Sequence, residues 1–176
     1  MPPAPKGGTP RGAKLLIAAV VVGVVGIVVA GLIANATGPS GADPGECVRV
    51  NRVTVTDADV DKVDCGSADA AFKVAANLDS GTDSCPSGDY SEYSERGGRR
   101  SDGYKLCLML NAAPGDCFAQ EGTVVAGKTT KVTCDSSATH KVTKVAAGTA
   151  DNSACEAGEI VFVYSQPATT VCLAEA

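Results

Sequence analysis

The sequence contains no tryptophan and few other aromatic residues, with three Phe and four Tyr among 176 residues. A small domain built from so few large side chains buries little apolar surface, so it needs another source of stability. The chain has one histidine, His140, and therefore no second imidazole for a histidine-based metal centre. Any Ser-His-Asp triad would have to be built on His140.

Closely spaced cysteine pairs are also missing, because no two of the eight cysteines lie closer than ten positions. Structural zinc sites and redox motifs use pairs such as C-x-x-C, so neither is expected. Positive charge is scarce, since 15 Lys and Arg stand against 20 Asp and Glu. Nucleic acid attracts basic surfaces, and we expect no nucleic-acid partner. We also expect no catalytic residues and no cofactor, because no reactive cluster of side chains stands out.

One long apolar run is present, Leu15–Ala34, with 20 residues and no charge. As a helix it is about 30 Å long, the thickness of the hydrocarbon core of a bilayer. Lys6, Arg11 and Lys14 precede it, and all 20 acidic residues follow it. The positive-inside rule therefore predicts a single-pass cell-membrane protein with a cytoplasmic N-terminus and its C-terminal part outside.

The same run has a second interpretation, as a signal peptide that is removed. Ala34-Asn35-Ala36 has the small-x-small form that signal peptidases accept, and cleavage there would give a chain starting at Thr37. The run is longer than the usual apolar core of a signal peptide, about 7–15 residues, which favours a retained anchor. The first cysteine, Cys47, is too far from the run to be a lipobox cysteine.

Composition divides the rest of the chain into four parts. Residues 1–14 are rich in Pro and Gly and predict a disordered cytoplasmic tail, and residues 35–44 are turn formers that predict a linker. Residues 45–110 and 111–176 hold four cysteines each, and we call them module 1 and module 2.

An internal repeat supports this division, because the residues beside the cysteines recur in the same order. The matching segments are Gly45-Glu46-Cys47-Val48 with Gly115-Asp116-Cys117-Phe118, Val63-Asp64-Cys65 with Val132-Thr133-Cys134, Phe72-Lys73-Val74 with His140-Lys141-Val142, and Leu106-Cys107-Leu108 with Val171-Cys172-Leu173. The repeat predicts two tandem modules with the same chain path.

Apolar residues in the modules mostly alternate with polar ones, which is typical of half-buried strands. The segments expected to form strands are 48–55, 68–78, 104–110, 131–134, 141–145 and 159–164. The predicted fold is therefore a transmembrane helix followed by two small, mainly β modules.

Export to an oxidising compartment and an even cysteine count predict disulfides. Four cysteines allow three connectivities in each module, and sequence alone leaves all three open. Cys47 and Cys65 lie in strand-like segments around a turn-rich stretch, which suggests that neighbouring cysteines pair. The expected bridges are Cys47–Cys65, Cys85–Cys107, Cys117–Cys134 and Cys155–Cys172. Each would stabilise its module by about 3 kcal/mol.

Three features are candidates for a functional site. Tyr90, Tyr93, Arg96, Arg99 and Arg100 fall in a polar segment, 90–100, that we expect to be a loop contacting an acidic envelope polymer or a partner protein, or else a solvated loop.

The other two candidates have plainer alternatives. His140 is either a ligand or pH-sensitive contact, or an ordinary strand or turn residue beside Cys134. Asp57, Asp59 and Asp61 begin like a calcium loop, but Lys62 and Ala68 stand where an EF-hand needs Gly and Glu, which favours a solvated turn.

The repeated pattern of Gly-acidic-Cys, Val-x-Cys and Cys-Leu resembles the LppU-like envelope proteins of actinobacteria. The stretch Pro114 to Val145 also resembles the septum-formation type domain, whose histidine corresponds to His140. This resemblance implies an exported, disulfide-bonded envelope module without an assigned biochemical role.

Together these observations predict a non-catalytic envelope protein that binds or scaffolds through its two modules. Its partners would be the bilayer, through Leu15–Ala34, and an envelope protein or cell-wall polymer. The alternatives are a secreted domain released near Ala36 and an envelope hydrolase.

Overall fold

The computed structural model describes residues 38–53, 58–98, 102–123 and 126–176, which form two five-stranded antiparallel sheets. The strands of module 1 are β1 (Cys47–Val53), β2 (Ala58–Val63), β3 (Phe72–Leu78), β4 (Ser91–Arg96) and β5 (Gly103–Leu110). The strands of module 2 are β6 (Cys117–Thr123), β7 (Ala126–Val132), β8 (His140–Ala147), β9 (Ile160–Ser165) and β10 (Ala168–Glu175). Short 3-10 helices lie at Pro39–Gly41 and Asn152–Ala154.

The two sheets have the same topology. Their strand orders are β2-β1-β3-β5-β4 and β7-β6-β8-β10-β9, so each strand of module 1 has a counterpart five places later. The register also agrees, since Cys47 pairs with Lys73 in one sheet and Cys117 with Lys141 in the other. The predicted mainly β fold with two modules is confirmed.

Each module begins with the same glycine turn. Gly45 and Gly115 have φ angles of 96° and 94°, in the left-handed region that favours glycine. Their N–H groups donate to the carbonyl oxygens of Val74 and Val142, each over 2.8 Å. The Gly-acidic-Cys motif therefore marks the point at which the chain enters each sheet.

Two disulfides lie at equivalent places in each module. The bridges are Cys47–Cys65, Cys85–Cys107, Cys117–Cys134 and Cys155–Cys172, the pairing expected above. The first bridge of each module closes the opening hairpin. The second ties the segment before edge strand β4 or β9 to the strand that pairs with it, β5 or β10. All eight cysteines are used, and no thiol is free.

The core is one cluster with members from both sheets. Module 1 contributes Val48 and Leu106, each 0% exposed, and module 2 contributes Phe118 and Tyr164, each 1% exposed. The two modules are therefore parts of one compact unit, which covers residues 38–176.

The segment 35–44 was predicted to be a linker, but the part that the structure describes, from Gly38 onward, is folded against module 1. Pro39–Gly41 forms a 3-10 helix, and Ala42 is fully buried in the core. The Asn77 side-chain amide donates to the carbonyl oxygens of Ser40 and Ala42 over 3.1 and 3.0 Å. The segment is held on module 1 because the backbone carbonyl groups of Ser40 and Ala42 accept hydrogen bonds from the Asn77 side chain.

The expected loop at 90–100 is wrong for most of its length, because Ser91–Arg96 forms edge strand β4 along β5. An edge strand pairs through its backbone and tolerates charged side chains, so apolar alternation did not reveal it. Arg99 and Arg100 lie outside the described residues.

The solvated turn expected at Asp57, Asp59 and Asp61 is also corrected. Asp59 and Asp61 lie in β2 on either side of Val60, which is 3% exposed, so the segment alternates as an edge strand does. Asp61 accepts hydrogen bonds from Arg49 and Asn51 over 2.9 and 2.8 Å. Asp57 lies outside the described residues.

In the described part of the chain, no helix has the length and apolar character needed to cross a membrane. The predicted span, Leu15–Ala34, and the predicted tail, 1–14, lie outside that part.

Candidate functional site

The residues expected to bind a partner do not form one patch. Tyr90 lies where the two modules meet, and its ring centroid is 5.1 Å from that of Tyr164. Its hydroxyl donates to the carbonyl oxygen of Gln166 over 2.8 Å and accepts from the N–H of Gln166 over 2.7 Å. Tyr90 therefore joins module 1 to module 2.

Tyr93 and Arg96 lie elsewhere, on edge strand β4. Tyr93 is half-buried, with its ring centroid 5.9 Å from that of Tyr104, and Arg96 is exposed at the end of the strand opposite Gly103. Of the expected set, these two are the described residues that remain available on the surface.

Residues Ser87–Tyr90, which we call the clamp segment, extend the sheet of module 2 beyond its edge strand β9. Gly88 forms an antiparallel bridge with Tyr164. Asp89 donates its N–H to the carbonyl of Val163 over 2.8 Å, and its carboxylate accepts the N–H of Val163 over 2.7 Å. The clamp segment therefore covers part of an edge that would otherwise be open to other strands.

Gly88 is required at this contact. Its φ is 145°, and a Cβ atom there would lie 2.5 Å from the carbonyl oxygen of Val163. The sequence carries a faint signal of the clamp segment, because module 1 has one residue more than module 2 between Cys85 and its edge strand. Tyr90 is that additional residue.

Tyr164 makes the deepest contact between the modules. It is 1% exposed, and its hydroxyl accepts the N–H of Leu110 over 3.2 Å. Burial raises the pKa of Tyr164 well above its usual range, so the hydroxyl stays neutral.

A three-residue cluster at Cys155, Glu159 and Cys172 has the spacing of a metal site, with ligand atoms within 4.8 Å of one another. The two sulfurs are bonded to each other in a disulfide, and a metal needs free thiolates. The Glu159 carboxylate instead accepts hydrogen bonds from Thr143 and from the N–H of Glu156. Its role is to hold the turn before β9.

A shallow groove on the face of the module 2 sheet is open to solvent, and the cavity within it has a volume of about 20 Å³. Its lining residues are Leu110, Phe118, Gln120, Thr129, His140, Ile160, Phe162 and Leu173. Among them, His140 is the one residue that the sequence indicates as a candidate.

The groove has a floor of buried side chains and two different sides. Leu110, Phe118 and Leu173 form the floor, being 6%, 1% and 3% exposed. On β9, Ile160 is 43% exposed and Phe162 is half-buried, and we call this pair the apolar wall.

Three hydrogen-bonding side chains, which we call the polar wall, come from the other strands: Gln120 on β6, Thr129 on β7 and His140 on β8. Gln120 is exposed, while Thr129 and His140 are half-buried. The His140 Nδ1 atom lies 2.8 Å from the hydroxyl of Thr139, which fixes the ring. Within the described lining there is no Asp, Glu, Lys or Arg side chain.

The register places three apolar residues of module 1 at the positions of the polar wall. In module 1, Val50 pairs with Val60, and Phe72 pairs with Val48. In module 2, the same pairings join Gln120 to Thr129 and His140 to Phe118.

Val60 and Phe72 are buried in the core, whereas Thr129 and His140 reach the groove surface. The fold therefore does not require polar side chains at these positions. Their presence in module 2 is a feature of this groove.

Comparisons with protein-family models, with curated proteins and with solved structures find no match to this chain.

Proposed function

We propose that this protein is a non-catalytic binding module of the cell envelope, anchored in the membrane by Leu15–Ala34, with its two modules outside the cytoplasm. The uncharged run and the basic residues before it support the anchor. The use of every cysteine in a disulfide fits an oxidising compartment. The LppU-like resemblance points to the same location.

The groove of module 2 is the surface that we propose for binding, and the polar wall is the observation that carries this proposal. A position that folds with Val or Phe in module 1 bears Gln, Thr or His in module 2. Specific sites combine apolar surface with a few well-placed polar groups, and the groove has both. Tyr93 and Arg96 on β4 offer a second, smaller contact surface for a partner protein or cell-wall polymer.

Cell fractionation with analysis of the mature N-terminus tests the anchor. We expect the full chain to stay in the membrane fraction through high salt and carbonate, since salt screens only charges and the apolar run has no other place to be buried. A soluble chain that starts at Thr37 would contradict the anchor and support the secreted alternative.

Thiol labelling tests the compartment. Protein taken from cells and alkylated without reductant should show no labelled cysteine by mass spectrometry. Labelling at two or more cysteines would contradict an oxidising location.

A further inference from the structure

Edge strand β4, Ser91–Arg96, is open along its outer side. It is the last strand in the sheet order of module 1, and among the described strands it pairs with β5 alone. Five of its six residues are exposed, and Tyr93 is half-buried. The equivalent strand of module 2, β9, is instead covered in part by the clamp segment. An open edge of this kind is a template for pairing with another strand.

In module 2, the backbone groups that bond to the clamp segment belong to alternate residues of β9. The carbonyl oxygen of Val163 accepts the N–H of Asp89 over 2.8 Å. Ser165 donates its N–H to the carbonyl oxygen of Ser87 over 3.2 Å. These two residues of β9 therefore direct backbone groups away from β10, toward the outer side of the sheet.

The matching residues of β4 follow from the repeat. The first residues of β4 and β9 pair with equivalent leucines of β5 and β10. The third residues after them are Ser94 and Val163. The backbone N–H and C=O groups of Ser94 therefore point to the open side, and by alternation so do those of Glu92 and Arg96.

The charges of β4 favour one antiparallel register with a second copy of the strand. With a two-fold axis beside Ser94, this residue would face its own counterpart, and Glu92 of each copy would lie opposite Arg96 of the other. Opposite residues of an antiparallel pair share one face of the sheet, so each of these contacts joins a carboxylate to a guanidinium. The same register brings the outward backbone groups of all three residues together as hydrogen-bonded pairs.

Neighbouring registers are less favourable. An axis beside Glu95 would set two Glu95 carboxylates opposite each other, and like charges in that position are destabilising. An axis beside Tyr93 would place Glu92 opposite Ser94, which gives no charge pair. Charged residues on an edge strand normally discourage pairing, but here they exclude other registers and permit this one.

We propose that two copies of this chain associate edge to edge through β4, in the register centred on Ser94, and so join their module 1 sheets into one continuous sheet. This inference rests on the proposed function, since it names the partner of the smaller contact surface, Tyr93 and Arg96. Six residues from each copy form a small contact, so the dimer is weak and needs a high local concentration.

Cysteine capture tests the register, because no native thiol is free. The purified full chain carrying Ser94→Cys is oxidised with diamide, and dimers are measured on a non-reducing gel. The Cα atoms of a hydrogen-bonded antiparallel pair lie about 5.5 Å apart, within the range that a disulfide spans. Mass spectrometry should find the new bridge between the two substituted positions, with the four native bridges intact.

The matched control is Ser91→Cys, on the same strand and also exposed. In the proposed register its counterpart in the second copy is about 20 Å away, since six residues of strand separate them. We expect this variant to form dimers at least about tenfold more slowly than Ser94→Cys, because direct capture is out of reach. Equal rates would indicate random collision and would overturn the proposal.

Charge reversal in the Ser94→Cys chain tests the two cross-strand pairs. Glu92→Arg or Arg96→Glu alone sets like charges opposite each other and should slow dimer formation about tenfold. A mixture of these two variants restores both contacts, so heterodimers should form at the rate of the unreversed chain. This recovery also shows that each variant is folded.

A mixture that forms dimers no faster than its separate components would also overturn the proposal. These outcomes concern β4 alone. Fractionation and thiol labelling test the location of the protein, so failure of the dimer and failure of the envelope proposal are distinguishable.

Discussion

In module 1, Val48 on β1 pairs with Phe72 on β3. In module 2, the equivalent pair is Phe118 on β6 with His140 on β8. The surroundings of these pairs are nearly the same in the two modules. The glycine turns, the disulfides and the strand orders all agree. This comparison separates residues that specify the sheet from residues on its face that vary without changing it.

One ion pair shows how closely the shared parts agree. Lys62 lies 2.8 Å from Glu46 in module 1, and Lys131 lies 2.7 Å from Asp116 in module 2. Each carboxylate also accepts a backbone N–H three residues earlier, from Asp43 and from Ala113, over 2.7 Å in both cases. These contacts hold the turn before the first strand, so we expect equal changes in the two modules to have similar effects.

The largest test of this equivalence removes the first disulfide of each module. The double variants Cys47→Ala with Cys65→Ala, and Cys117→Ala with Cys134→Ala, should each lower the free energy of unfolding by about 3 kcal/mol. The closed loops are 18 and 17 residues long, so the two losses should agree. Urea unfolding measures both, and a loss confined to one module would break the comparison.

The second test concerns the junction, where the modules differ. Tyr164→Phe leaves the buried N–H of Leu110 without an acceptor, which should cost about 1–3 kcal/mol of unfolding free energy. Tyr90→Phe removes bonds to Gln166 that water can replace at the surface, so its cost should be smaller, about 0.5–1.5 kcal/mol. If urea unfolding gives the reverse order, the buried contact is not the main link between the modules.

A smaller effect is expected from the shared ion pair. Glu46→Gln and Asp116→Asn should each cost less than about 1 kcal/mol, because the side chains are partly exposed. Lys62 lowers the pKa of Glu46, so this pair contributes above the ordinary pKa of a glutamate and is lost in acid. Asp116 is 24% exposed against 39% for Glu46, and its loss should be the larger. In urea unfolding at high salt, both losses of unfolding free energy should be smaller, because salt screens the ion pairs. Losses that do not change with salt would contradict this account.

The smallest effect lies at a position where module 1 has Gly66 and module 2 has Asp135. Hydrogen bonds from Thr133 and Ser137 lower the pKa of Asp135 to about 2. Because the folded-state pKa is depressed, this contribution is present above about pH 4 and is lost as the pH falls toward 2. Asp135→Asn should make the free energy of unfolding depend less on pH between about 4 and 2. Thr133→Val should shift this acid loss of unfolding free energy to higher pH. A Thr133→Val profile identical to that of the parent protein would contradict the hydrogen-bond cause.

The two-module fold could be predicted because its signals are local in the sequence. Gly45 and Gly115 stand beside cysteines, and the strands β3, β5, β8 and β9 show apolar or alternating residues. Strand β4 gives no such signal, because Ser-Glu-Tyr-Ser-Glu-Arg has one apolar side chain and its pairing with β5 is made by the backbone.

The junction and the groove could not be predicted because both depend on residues far apart in the chain. Asp89 and Val163 are 74 residues apart, and Tyr90 and Gln166 are 76 apart. Gln120 and Thr129 look like ordinary exposed strand residues until the register aligns them with Val50 and Val60. His140 was noticed as the only histidine, but its neighbours in the groove come from four other strands and from Leu110 of module 1.

The clamp segment also limits how such modules can be joined into longer arrays. Module 1 reaches its successor through Asp89 and the additional residue Tyr90. In module 2 the corresponding acid, Glu159, is turned back onto Thr143 and Glu156. A third module fused behind module 2 would not find the equivalent strand-like contact, so we expect it to fold as a separate unit. In the terms of repeat proteins, module 1 is a coupling unit, whereas the described residues of module 2 do not repeat its coupling contact.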